Sequence, residues 1–125
     1  MAVLAEAAAD TVSSEVGQAV GGEPRLIINF RRVPIGSNGA VTVVGTIAGV
    51  IAALAITAVA FSSGTVGLLY LPPMAVGAIA GMLFDSLLGA TLEGKLLNND
   101  AVNFLSTAFA AAVAVVADRF LPFLY

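Results

Sequence analysis

The chain of 125 residues contains no cysteine, no histidine and no tryptophan, and only 10 % of it is charged. Without cysteine there are no disulfides, thiolate metal sites or thiol nucleophiles, and without histidine no imidazole acid–base chemistry. The net charge is −3 and no basic cluster exceeds Arg31-Arg32, which gives a nucleic-acid partner nothing to bind. The opening MAVLAEAAAD lacks the basic start of a signal peptide. Between Val33 and Phe84 there is no charged residue at all.

What is present is apolar. Hydrophobic residues make up 59 % and the mean hydropathy is +1.02, far outside the range of a soluble domain. Thirteen glycines among alanines and leucines, with few aromatics, point to closely packed helices and not to alternating barrel strands. The expected fold is all-α: one polytopic helical bundle over residues 1–125, set in a lipid bilayer.

Residues 41–61 are long enough to cross a hydrocarbon core of roughly 30 Å. A second apolar stretch is interrupted by Pro72-Pro73, so its helix is expected over 73–92, with 66–71 as a re-entrant or interfacial lead-in. A third span is expected over 101–117. Residues 1–17 read as a partial helix, too short to span alone, whose remainder belongs to missing helices or to a partner chain. Within the polar segment 18–40, RLIINF alternates weakly and suits a short strand or an interfacial strip. Arg25, Arg31, Arg32 and Lys95 fall on one side, which places loops 18–40 and 93–100 in the cytoplasm.

Against this apolar background the polar residues stand out. A carboxylate at the centre of a membrane helix costs about 2.5–3.5 kcal/mol on insertion scales. Gly77, Gly81, Asp85 and Gly89 recur every four residues on one face, so Asp85 is either a buried ligand for a metal or substrate or part of a packing stripe. Glu6, Asp10, Ser13 and Gly17 share another face, flanked by Glu15, as a Mg²⁺ site or as a solvated helix end. One of Asn98, Asn99 and Asp100 caps the third span, while Asn103 shares a face with Asn99 and Thr107 and serves a ligand or an interhelical contact. Gly36, Ser37, Asn38 and Gly39 precede a helix, and with Arg25, Arg31 and Arg32 upstream they suit a phosphate.

The ordered motifs ADTVSSEVGQ, PRLI, VPIGSNGAVTVVGT, DSLLGATLEG and LLNNDAVNFLST resemble the family catalogued as domain of unknown function 92, the transmembrane protein 19 family, over nearly the whole chain. That family includes the plant phytyl phosphate kinase and is distantly similar to membrane polyprenol kinases and CTP-dependent cytidylyltransferases. The resemblance implies phosphoryl transfer from a CTP-like nucleotide to an isoprenoid alcohol monophosphate. It marks Asp10, Glu15, Arg25, Gly36, Asn38, Gly39, Asp85, Ser86, Asn99, Asp100 and Asn103. The roles expected are Mg²⁺ on Asp10, Glu15 and Asp85, and phosphates on Arg25, Arg31 and the Gly36, Ser37, Asn38, Gly39 loop. Asn99 and Asn103 would orient donor or acceptor, with Asp10, Asp85 and Asn103 as the catalytic set. The lipid tail would lie along the Gly77/Gly81/Gly89 face. Departures from the family pattern are Val12, Ser37 and Glu93, the last where glutamine is common. Members carry further helices before the first motif, so a homo-oligomer or a partner chain supplying them is expected. The rival reading is a non-catalytic membrane scaffold, or a transporter fragment, in which the same polar groups pair off between helices.

Overall fold

The computed structural model describes residues 1–120. Four helices account for most of it: α1 (Ala2–Val20), α2 (Val43–Ser62), α3 (Leu71–Thr91) and α4 (Asn99–Phe120). Two two-residue strands, β1 (Arg25–Leu26) and β2 (Ala40–Val41), pair antiparallel between α1 and α2. The all-α membrane bundle is therefore the fold. Three helical segments, Val43–Ser62, Leu68–Thr91 and Asn99–Phe120, are long and apolar enough to cross a membrane.

The helices run up and down, so α1 and α3 end where α2 and α4 begin. Thr42 caps α2 by accepting a hydrogen bond from the Gly45 amide at 3.0 Å, and Asn98 Oδ1 caps α4 by accepting from the Ala101 amide at 2.9 Å. The proline pair does not break the second apolar stretch. A 3₁₀ turn at Leu68–Tyr70 leads directly into α3, and Pro72 and Pro73 sit in its first turn, where a missing N–H breaks no intrahelical bond.

The N-terminal segment, expected as a partial helix over 1–17, is helical over Ala2–Val20. With 19 residues α1 is about 28 Å long, and it packs against all three other helices. Ala5 and Ala9 are fully buried in one cluster with Ala53, Ala78 and Met82. A helix that buries one face on its neighbours needs no continuous apolar surface, so a hydropathy window passes over it.

Glycine and alanine set the interhelical spacing. A Cβ on Gly45 would lie 2.5 Å from the Ser13 carbonyl oxygen, and one on Gly77 would lie 2.5 Å from that of Ala110. A Cβ on Gly81 would meet Glu6 Cγ at 2.6 Å, Ala110 Cβ at 2.7 Å and the Ser106 carbonyl oxygen at 3.0 Å. The Gly77/Gly81/Gly89 face is thus filled by other parts of the chain, with all three glycines buried. It offers no groove for a lipid tail, which corrects the expectation drawn from the glycines' lack of side chains. Phe84 and Phe109 stack at 4.2 Å between centroids and join α3 to α4.

Candidate functional site

At the end where α1 and α3 terminate and α2 and α4 start, a cavity of about 320 Å³ opens among α1, α3, α4 and the β2 loop as far as Thr42, the cap of α2. Asp10 and Glu15 come from α1, Gly36, Ser37, Asn38 and Gly39 from the loop, Asp85 and Ser86 from α3, and Asn99 and Asn103 from α4. Groups up to 93 residues apart in sequence thereby line one space. Both polar connections, around 36–42 and around Glu93, border the same cavity.

The loop reaches the cavity because the backbone permits it. Gly36 and Gly39 take φ of 82° and 71°, in the left-handed region that favours glycine. Gly39 presses on the end of α3, where a Cβ on Gly89 would stand 2.8 Å from the Gly39 nitrogen. The amides of Gly36 and Asn38 make no backbone hydrogen bond among the described residues, whereas those of Ser37 and Ala40 are used within the loop. Two helix N-termini, those of α2 and α4, also face this end.

The cavity floor is acidic. Asp85 Oδ2 accepts a hydrogen bond from Ser106 Oγ at 3.0 Å, and the same hydroxyl lies 3.0 Å from the Asn103 carbonyl oxygen. Asp10 and Asp85 lie within electrostatic reach of each other and of both Glu6 and Glu93, and none of the four has a basic partner among the described residues. Burial, and then the Asp85 charge, push the Glu93 carboxyl above its ordinary value. Asp10, Asn99 and Asn103 make no side-chain hydrogen bond among the described residues, so their polar atoms are free to meet water or a ligand.

Arg25 and Arg31 lie outside the cavity. Arg25 donates to the Phe30 carbonyl oxygen at 2.8 Å and stands 3.7 Å from Glu23, and the turn after Leu26 leaves Arg31 exposed. Neither side chain lines the cavity, although β1 is paired with β2 at the foot of the Gly36–Gly39 loop. Asp10, Glu15 and Asp85 do not gather into a group of three able to share an ion: among the described residues no three acidic side chains do so. Glu15 is exposed on the rim. Asp10 and Asp85 still fit Mg²⁺ by donor type, since it commonly uses one or two carboxylates with substrate phosphates completing its shell.

Two participants, Ser106 and Glu93, escaped selection from sequence, and a third, Glu6, was placed on the candidate Mg²⁺ face without a role of its own. Ser106 is 1 % exposed and holds Asp85, whereas the sequence spacing points only to Thr107 on the Asn103 face, because a helical wheel separates i+3 from i+4 neighbours poorly. Glu6 is 1 % exposed, and its Oε2 has no hydrogen-bond partner. It lies one turn below Asp10 on the face already noted, a signal that was there to be used. Glu93 lines the cavity although it stood out only as a departure from the family pattern.

The family described as integral membrane protein DUF92 matches residues 1–111. The chain belongs to this family. A membrane protein of Methanocaldococcus jannaschii, itself uncharacterized, is 39 % identical over 120 residues, covering 90 % of this chain and 48 % of the relative. The chloroplastic protein VTE6 of Arabidopsis thaliana is 34 % identical over 119 residues, covering 90 % of this chain and 35 % of VTE6. Protein PGR of the same plant is 32 % identical over 145 residues, covering 86 % and 50 %. The chain thus spans about half the length, or less, of these DUF92 relatives. No solved structure matches it.

Proposed function

We propose that this DUF92 chain carries the phosphate-handling site of a membrane transferase that moves a phosphoryl group from a nucleoside triphosphate of CTP type to an isoprenoid alcohol monophosphate. The observation that carries the reading is the convergence of the Gly36–Gly39 loop, Asp10, Asp85, Asn99 and Asn103 on one open cavity at a membrane-exit end of the bundle. A scaffold would pair these groups off inside helix contacts, whereas Asp10, Asn99 and Asn103 are left without such partners. The similarity to VTE6, and the place of a phytyl phosphate kinase in the resembling family, support the choice of substrate class.

Phosphoryl transfer is mostly positioning and charge neutralisation, so it proceeds without histidine or cysteine. Free amides at Gly36 and Asn38 and the positive ends of α2 and α4 would bind phosphate oxygens. Asn99 and Asn103, one turn apart, would orient the donor or acceptor. Phosphates beside several uncompensated carboxylates need a cation between them, and Asp10 and Asp85 would hold Mg²⁺, which would supply that neutralisation when bound. Ser106 would keep the Asp85 carboxylate aimed at the cavity. The positive-inside rule puts the cavity on the cytoplasmic side, with the acceptor's phosphate at headgroup level.

The test is nucleotide-dependent phosphorylation of phytyl or geranylgeranyl monophosphate in membranes, with this chain and with a version extended by the family's preceding helices. Transfer by the extended version, abolished by Asp85→Ala at unchanged expression, is the expected result. Full activity of that variant would overturn the assignment.

A further inference from the structure

The segment between α1 and α2 concentrates charge of one sign. Arg25, Arg31 and Arg32 stand there against the single acid Glu23, while the rest of the chain holds two bases against seven acids. The segment folds into a tight hairpin tip. The Phe30 amide donates to the Leu26 carbonyl oxygen at 2.8 Å, the Leu26 amide to that of Arg31 at 3.0 Å, and the Arg31 amide to Asn29 Oδ1 at 3.1 Å. Arg25 ties down the Phe30 carbonyl.

This well-bonded tip does not bury its apolar side chains. Phe30 is 65 % exposed, Ile35 64 % and Ile28 46 %. Phe30 adopts φ of 55°, a conformation unfavourable for a bulky residue, and its ring gains no packing inside the chain in return. Arg32 is shared with Glu23 at 2.7 Å, and Arg31 has no acidic partner among the described residues.

The base of the hairpin pairs with Ala40–Val41, immediately before the span that starts at Val43, so it sits where the bundle leaves the bilayer. Exposed aliphatic and aromatic side chains beside an Arg31 unpaired among the described residues, in a segment whose three arginines share one acid, match at that depth the acyl–headgroup boundary of an anionic leaflet. We propose that this hairpin is a membrane-surface anchor: Ile28, Phe30 and Ile35 insert at the acyl–headgroup boundary, and Arg31 and Arg32 hold anionic lipid headgroups. The Ile27 amide donates to the Gly39 carbonyl oxygen at 3.2 Å, so the anchor also sets the depth of the Gly36–Gly39 wall of the cavity. The proposal does not depend on the phosphoryl-transfer reading.

The chain has no tryptophan, so Phe30→Trp supplies a single emitter. The purified variant is reconstituted in phosphatidylcholine vesicles with and without phosphatidylglycerol, using acyl chains brominated near the headgroup or near the methyl end. The expected result is a blue-shifted emission that loses intensity to the shallow bromines more than to the deep ones, and more strongly in anionic vesicles. Adding Arg31→Gln and Arg32→Gln should erase the difference between the two vesicle types. Ile28→Trp repeats the measurement without altering Phe30. Emission at the position of water-exposed indole, quenched by acrylamide and not by bromolipid, would overturn the anchor. So would blue-shifted emission that neither quencher reaches, because the ring would then be covered by protein. Equal quenching in both vesicle types would overturn the headgroup contact.

Discussion

At the scale of single residues, Asp85 shows how a costly group is accommodated. Its carboxylate is half-buried, receives the Ser106 hydroxyl and borders a cavity that admits water. A hydrogen bond to a charged group contributes about 1.5–3 kcal/mol, so Ser106→Ala is expected to lower stability by roughly that much. Thermal unfolding in detergent checks this, and an unchanged midpoint would mean that water replaces the hydroxyl. Glu93 makes the opposite contribution. Its carboxyl is pushed up in the fold, so its ionised form is disfavoured there and its cost is present at high pH. That cost disappears as pH falls below the ordinary glutamate range. Glu93→Gln should therefore stabilise the chain at pH 8 and leave it unchanged at pH 4, and unfolding midpoints measured at both values would show the difference.

At the scale of elements, small residues decide which helices touch. Gly81 is buried where α1, α3 and α4 meet, within 3.0 Å of three groups that an added Cβ would crowd. Overpacking of this kind costs about 1–3 kcal/mol, and Gly81→Ala should lower the unfolding midpoint and loosen α4. The stacked Phe84–Phe109 pair reports on that contact, and hydrogen exchange along α4 would reveal its opening. By contrast Gly64→Ala should leave the other helix contacts intact, since its added Cβ meets nothing and only its φ of 73° is strained.

At the scale of the whole molecule, the cavity end collects negative charge and the hairpin beside it collects positive charge. Anything that binds the folded state alone stabilises it by mass action, by about 2.7 kcal/mol at a hundredfold excess over its dissociation constant. Mg²⁺ is expected to raise the unfolding midpoint, and chelation to reverse the rise. Asp10→Asn combined with Asp85→Asn should abolish the effect. Equal stabilisation of that double variant would place the ion elsewhere.

The sequence by itself determined the membrane class, the all-α fold and the presence of three spans, because hydropathy and length are local properties that lipid reads directly. It also singled out Asp10, Asp85, Asn99, Asn103 and the Gly36–Gly39 loop, because each polar group in an apolar chain carries a visible cost. Only the tertiary structure decided that α1 packs against all three spans, since Glu6 and Asp10 face protein and cavity where a hydropathy average counts them against it. Only the tertiary structure showed that Arg25 and Arg31 do not line the cavity, because the bond that ties Arg25 to the Phe30 carbonyl and the turn at Ile27–Asn29 are not visible in one-dimensional spacing. The same holds for Ser106, whose part rests on which of two adjacent helical positions meets Asp85. Periodicity places a side chain on a face, and the partner across that face exists only once the helices have packed.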